Sequence, residues 1–115
     1  MASSNAALYC GADVDFVDVD ERTYNMCPLR LGEKLDRAAE AGTLPKAIIP
    51  VHLAGQSCDM AAIHAAASRH AVRIIEDASH AIGGSYRSEP VGSCTFSDIA
   101  VFSFHPVKIV STREG

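Results

Sequence analysis

Five consecutive apolar residues, Ala47-Ile48-Ile49-Pro50-Val51, stand between Lys46 and His52. A run this short with no polar alternation leaves no face for solvent, so it reads as a strand covered on both sides. Covering both faces requires helices, and the chain supplies them. Pro28 to Ala41 has Leu31, Leu35, Ala38 and Ala39 at helical spacing, with Pro28 suited to a first turn. Gly42 ends that stretch and Pro45 enforces the break. Asp59 can cap a second helix that carries Met60, Ile63, Ala66 and Ala67 on one side. Val72–Ile75 and Ile99–Phe104 are further strand-like runs, and Val14–Val19 reads as another, set among aspartates. Ala2–Cys10 reads as a short helix ended by Gly11. Gly83–Gly92 is rich in Gly, Ser and Pro, hence a loop or an irregular hairpin. Strands alternating with helices of about a dozen residues predict parallel β-α-β units with right-handed crossovers. The expected class is therefore α/β, a mostly parallel sheet flanked by helices.

In such sheets ligands gather beyond the carboxyl ends of the strands. Three polar segments stand there. His52-Leu53-Ala54-Gly55 follows the first strand. Glu76-Asp77-Ala78-Ser79-His80 follows the second. Ser103-Phe104-His105-Pro106-Val107-Lys108 follows the third. If the strands run parallel, an acid, imidazoles, hydroxyls and a lysine share one rim. Singly, each has an ordinary structural explanation. Asp77 suits a turn or a helix cap, Lys108 a solvated surface charge, and His80 and His105 hydrogen-bonded histidines.

The 115 residues suffice for one domain or part of one, and 48% hydrophobic residues are ordinary for a folded protein. A net charge of -4 argues against a nucleic-acid surface, which needs a Lys/Arg stripe. No apolar run is long enough for a membrane helix, and Met1–Cys10 lacks the pattern of a signal peptide. Cys10, Cys27, Cys58 and Cys94 form no C-x-x-C pair, so reduced thiols in a cytoplasmic protein are expected. His64 and His70 do not share a helix face and are given no metal role. No zinc pattern, G-x-S-x-G elbow, Walker loop or G-x-G-x-x-G is present.

The segments EDASHAIGGSY and FSFHPVK, with KAIIPVHLAG and ADVDFVDVD before them, resemble the DegT/DnrJ/EryC1/StrS family of sugar aminotransferases. The resemblance runs over nearly the whole chain. It implies the large domain of a PLP-dependent transferase of fold type I, with pyridoxal 5′-phosphate as cofactor. Within that likeness Lys108 corresponds to the lysine that carries the cofactor covalently, and Asp77 to the carboxylate facing its pyridine nitrogen. His80 stands where relatives place Gln or His near the phenolic oxygen. Ser103 matches a hydroxyl for the phosphate, and Ser79 is placed beneath the ring. Ser79-His80-Ala81 points to the subgroup that aminates UDP-4-keto-6-deoxy-N-acetylhexosamines at C4, as in pseudaminic acid synthesis. Glutamate is the implied amino donor, and a homodimer the implied assembly. Some relatives carry histidine in place of the lysine and dehydrate their substrate, so Lys108 favours amino transfer.

Family members are several-fold longer, so residues 1–115 are expected to be part of the cofactor-binding large domain, without the C-terminal domain. Where relatives read T-T-G-E-G-G, this chain reads Ser111-Thr112-Arg113-Glu114-Gly115. Arg113 replaces a small residue, which costs about 1 kcal/mol or more wherever a positive φ is required. Two alternatives stay open from sequence: a non-catalytic α/β remnant of such an enzyme, and another fold-type-I PLP enzyme.

Overall fold

The structure is a computed structural model that describes residues 2–111. Met1 and Thr112–Gly115, with the Arg113 departure expected to strain the backbone, lie outside the described residues. Among the described residues, three helices and five strands follow one another as α1 (Ala2–Tyr9), α2 (Pro28–Glu40), β1 (Ala47–Ile48), α3 (Met60–Ser68), β2 (Arg73–Asp77), β3 (Ser85–Tyr86), β4 (Glu89–Pro90) and β5 (Ile99–Val101). A short 3-10 turn, Leu53–Gly55, lies between β1 and α3.

β1, β2 and β5 form a parallel sheet in the order β1-β2-β5. β2 is central because it is the longest run of paired residues and the one α3 covers. The apolar residues of α2 and α3 face each other and the sheet, giving a core of Leu31, Leu35, Ile48, Met60, Ile63 and Ile74. Burying each such side chain contributes roughly 1.5–3 kcal/mol. Asp59 caps α3 as its position predicts, accepting the Ala62 N–H at 3.3 Å. Pro28 opens α2, where its missing N–H costs nothing.

Residues 85–90 form a hairpin, one of the two forms expected of the Gly83–Gly92 segment. Its two-residue turn, Arg87-Ser88, has φ of 50° and 69°. The hairpin is pinned to the body by Tyr86, whose hydroxyl donates to the Asp59 carboxylate and whose ring meets Phe96 edge-on.

Three expectations need correction. Val14–Val19 is not a strand; its only bridge joins Val19 to Met26, antiparallel. A strand exists only where its backbone finds partners, and a cavity of about 390 Å³ separates Val14–Val17 from β1. The first strand is shorter than Ala47–Val51, because Pro50 has no N–H to donate; pairing returns as a single parallel bridge, Val51 to Asp77. The last strand stops at Val101, short of Phe104. In contrast, β2 runs past Ile75 and takes in Glu76 and Asp77.

Candidate active site

The parallel ladder decides where the polar segments emerge. His52 N–H donates to the Asp77 carbonyl at 3.1 Å, and Ala78 N–H donates to the Val101 carbonyl at 2.9 Å. The ends of β1, β2 and β5 are therefore level, and all three polar segments open on one edge.

Successive residues of β2 point to opposite faces, as a strand requires. Ile74 and Glu76 are buried, while Ile75 and Asp77 are half-buried. Glu76 thus faces inward. Its carboxylate accepts from Ser97 Oγ and lies 3.1 Å from His52 Nε2. His52 is fully buried, and its Nδ1 accepts the Cys58 N–H at 3.1 Å. With Nδ1 an acceptor, the ring proton must sit on Nε2 and donate to Glu76. Cys58 lies beside this pair. Burial, the largest influence, pushes its thiol up to about 12, so it stays protonated and unreactive.

Asp77 faces the other way, toward α1. Its Oδ2 accepts the Ser3 hydroxyl at 2.6 Å, and its Oδ1 accepts the Ser79 N–H at 3.1 Å. Burial disfavours its charge. The hydroxyls of Ser3 and Ser79 and the Ser79 N–H, with a smaller electrostatic influence from the nearby His80, outweigh that, holding the carboxyl below its ordinary value. An ionised carboxylate has about four lone-pair sites, so Asp77 retains room for a further donor.

Three residues on, the His80 imidazole lies 2.7 Å from Lys108 Nζ. The lysine N–H can donate only to a bare Nε2, which puts the proton of a neutral His80 ring on Nδ1. Lys108 is positioned by a turn in which its own N–H donates to the His105 carbonyl at 2.8 Å. Ser103 lies on the same segment, and its hydroxyl turns on its own chain as a long acceptor for His105 N–H at 3.5 Å. Asp77 and Ser79 thus form one contacting pair and His80 and Lys108 a second, both at the end of β2. Ser103 shares the rim but makes its bond within its own segment. His64 and His70 go separate ways, to the Phe96 carbonyl and to Asp36. Among the described residues no cluster could hold a metal ion, and no helix is long and apolar enough to cross a membrane. All four cysteines are free.

Of three buried polar residues near this rim, sequence reasoning passed over Asn25 and named His52 and Glu76 only as members of their segments, without their buried pairing. The signal available for Glu76 was its phase. It stands two residues after Ile74, where strand alternation puts the buried face.

A parallel sheet flanked by helices, with Asp77 and the His80–Lys108 pair at its carboxyl edge, defines an α/β protein with a candidate site at the strand ends. Residues 1–115 match the DegT/DnrJ/EryC1/StrS aminotransferase family, and the chain belongs to it. It is 45% identical over 117 residues to GDP-perosamine synthase of Caulobacter vibrioides, covering 100% of this chain and 29% of that protein. It is 46% identical over 110 residues to UDP-N-acetyl-3-dehydro-alpha-D-glucosamine 3-aminotransferase of Acidithiobacillus ferrooxidans, covering 94% of this chain and 27% of that one. Among solved structures, Helicobacter pylori PseC, an aminotransferase of pseudaminic acid biosynthesis, superposes with a TM-score of 0.85 at 29% identity, covering 98% of this chain and 28% of that one. The sugar aminotransferase Spr1654 from Streptococcus pneumoniae, in its PLP form, gives 0.83 at 29% identity, covering 99% of this chain and 31% of that one. The chain spans less than a third of the length of these relatives.

Proposed function

We propose that this chain forms part of the cofactor-binding large domain of a PLP-dependent sugar aminotransferase, with Lys108 as the lysine that carries the cofactor. The single observation that supports this best is the 2.7 Å approach of the Lys108 amine to the His80 imidazole, three residues beyond the Asp77 carboxylate that ends β2. The residues fit the group. A carboxylate kept ionised with lone pairs to spare suits a protonated ring nitrogen, and a lysine amine beside an imidazole suits an aldehyde.

When bound, pyridoxal phosphate supplies an aldehyde that carries the amino group and a ring that draws electrons from the reacting carbon. Asp77 would hold the ring nitrogen protonated by charge pairing. His80 would hydrogen-bond the phenolic oxygen, Ser79 would pack beneath the ring, and Ser103 would donate to the phosphate. Lys108 Nζ would anchor the aldehyde and, once free, would carry a proton between the substrate carbon and the cofactor's C4′.

In this reading the acceptor is a nucleotide-linked keto-sugar, specifically a UDP-4-keto-6-deoxy-N-acetylhexosamine aminated at C4, with glutamate as donor. The resemblance at Ser79-His80-Ala81 supports that choice. The protein acts in the cytoplasm, as its four free cysteines favour, and as a homodimer whose second subunit completes the site. The test is the intact protein with pyridoxal phosphate, glutamate and a panel of keto-sugar nucleotides. The wild type is expected to show the visible absorbance of bound cofactor and C4 amination, and Lys108→Ala to lose both. A Lys108→Ala protein with full amino transfer overturns the assignment.

A further inference from the structure

The turn at Leu53–Gly55 stands behind the His80–Lys108 pair. Ala54 and Gly55 both have positive φ, 53° and 89°. An alanine in that region costs roughly 1–2 kcal/mol, so local preference does not hold the turn. Asn25 holds it from outside. This residue is 3% exposed. Its Oδ1 accepts the Leu53 N–H at 3.0 Å, and its Nδ2 donates to the Gln56 carbonyl at 3.0 Å. One carboxamide therefore ties both ends of the turn, using its donor and its acceptor on another segment's backbone.

The turn in its place touches residue 80. A methyl group added at Gly55 would lie 2.8 Å from the His80 carbonyl oxygen. Backbone meets backbone there, and neither side can swing away as a flexible side chain would. The imidazole of that same residue lies 2.7 Å from Lys108 Nζ.

We propose that Asn25 and Gly55 are positioning residues: the turn they fix sets where the His80 backbone rests, and so where its imidazole meets the Lys108 amine. The inference rests on the role given to Lys108 above. Placement matters for an amine that must attack a carbonyl, because a 1 Å displacement can cost on the order of 100-fold.

The test uses the intact protein, labelled with pyridoxal phosphate and borohydride at one pH. Peptide mass spectrometry reads the initial labelling rate at Lys108 relative to Lys46, a ratio taken within one molecule. Wild type is expected to favour Lys108. Gly55→Ala is expected to lower the ratio on the order of tenfold, toward the value of His80→Ala. Combining the two is expected to add nothing beyond His80→Ala, since both act through one contact. Asn25→Ser is expected to move the ratio the same way, and it replaces Gly55→Ala if circular dichroism shows that variant unfolded. A folded variant that keeps the wild-type ratio, or a double variant whose loss is the product of the single losses, overturns the proposal. A wild-type ratio near one overturns the role of Lys108 instead. The ¹⁵N shifts of the His80 ring then decide the inference alone: Gly55→Ala or Asn25→Ser must move them, and unchanged shifts overturn it.

Discussion

Two regions of this molecule meet at Asp77 and are built differently. On one side, α2, α3 and β2 share a continuous core that includes Leu31, Ile63 and Ile74, and they enclose a fully paired His52–Glu76–Ser97 network. On the other, α1 buries none of its residues, and Phe16, in the extended stretch that follows it, is 71% exposed. This margin meets the end of β2 through a polar contact, the Ser3 hydroxyl donating to the Asp77 carboxylate. The difference teaches where rigidity comes from. The carboxylate and the imidazole beside it are carried on the packed side, while the loosely packed side adds a hydrogen bond that adjusts the charge.

The sharpest way to break this comparison is to attack the packed side through its charge. Glu76→Ala leaves His52 and Ser97 buried without their acceptor and is expected to cost about 3–5 kcal/mol, read from urea unfolding. Next, Ile63→Ala is expected to cost about 2–5 kcal/mol, whereas Leu8→Ala in α1 stays within about 0.5 kcal/mol. Equal losses from those two variants would erase the distinction between the regions. Replacing Arg87-Ser88 by Asn-Gly, the pair that suits two positive-φ positions, is expected to gain about 1 kcal/mol. The smallest effect concerns Ser3. The Asp77 carboxyl titrates below its ordinary value in the folded state, so its contribution is present above that ordinary value and is lost as pH falls through the folded one. Ser3→Ala removes one of the bonds that lower it. Stability at neutral pH is therefore expected to fall by less than about 1 kcal/mol, with the difference from wild type shrinking as pH falls through the folded value, read from urea unfolding at a series of pH values.

Much of the packed side was legible in the residues. Leu31 and Leu35 at helical spacing and Pro28 at the helix start placed α2 to within a residue, and Asp59 before Met60 placed the start of α3. The three strand-end segments were found because apolar runs mark buried strands and the rim follows from parallel order. The margin misled for a physical reason. Val14, Phe16, Val17 and Val19 carry strand propensity, but propensity does not supply a partner ladder. Glu76 was hidden for the opposite reason. A charged residue looks like the end of a buried strand unless its counterpart is known, and His52 lies 24 residues away. Asn25 gave no signal at all, because its carboxamide acts on backbone groups of a distant turn.

The alternation in β2 has a consequence for how this segment can change over time. Glu76 and Asp77 are adjacent carboxylates with opposite assignments, one turned to the interior and one to the rim. Losing or gaining a single residue between Arg73 and Asp77 would exchange the two faces at a stroke. The interior histidine would then meet the wrong acid, and the rim would lose its anion. Side chains along β2 can therefore drift while its length stays locked, so lineages of this chain should place insertions in the loops before Arg73 or after His80, and not within the strand.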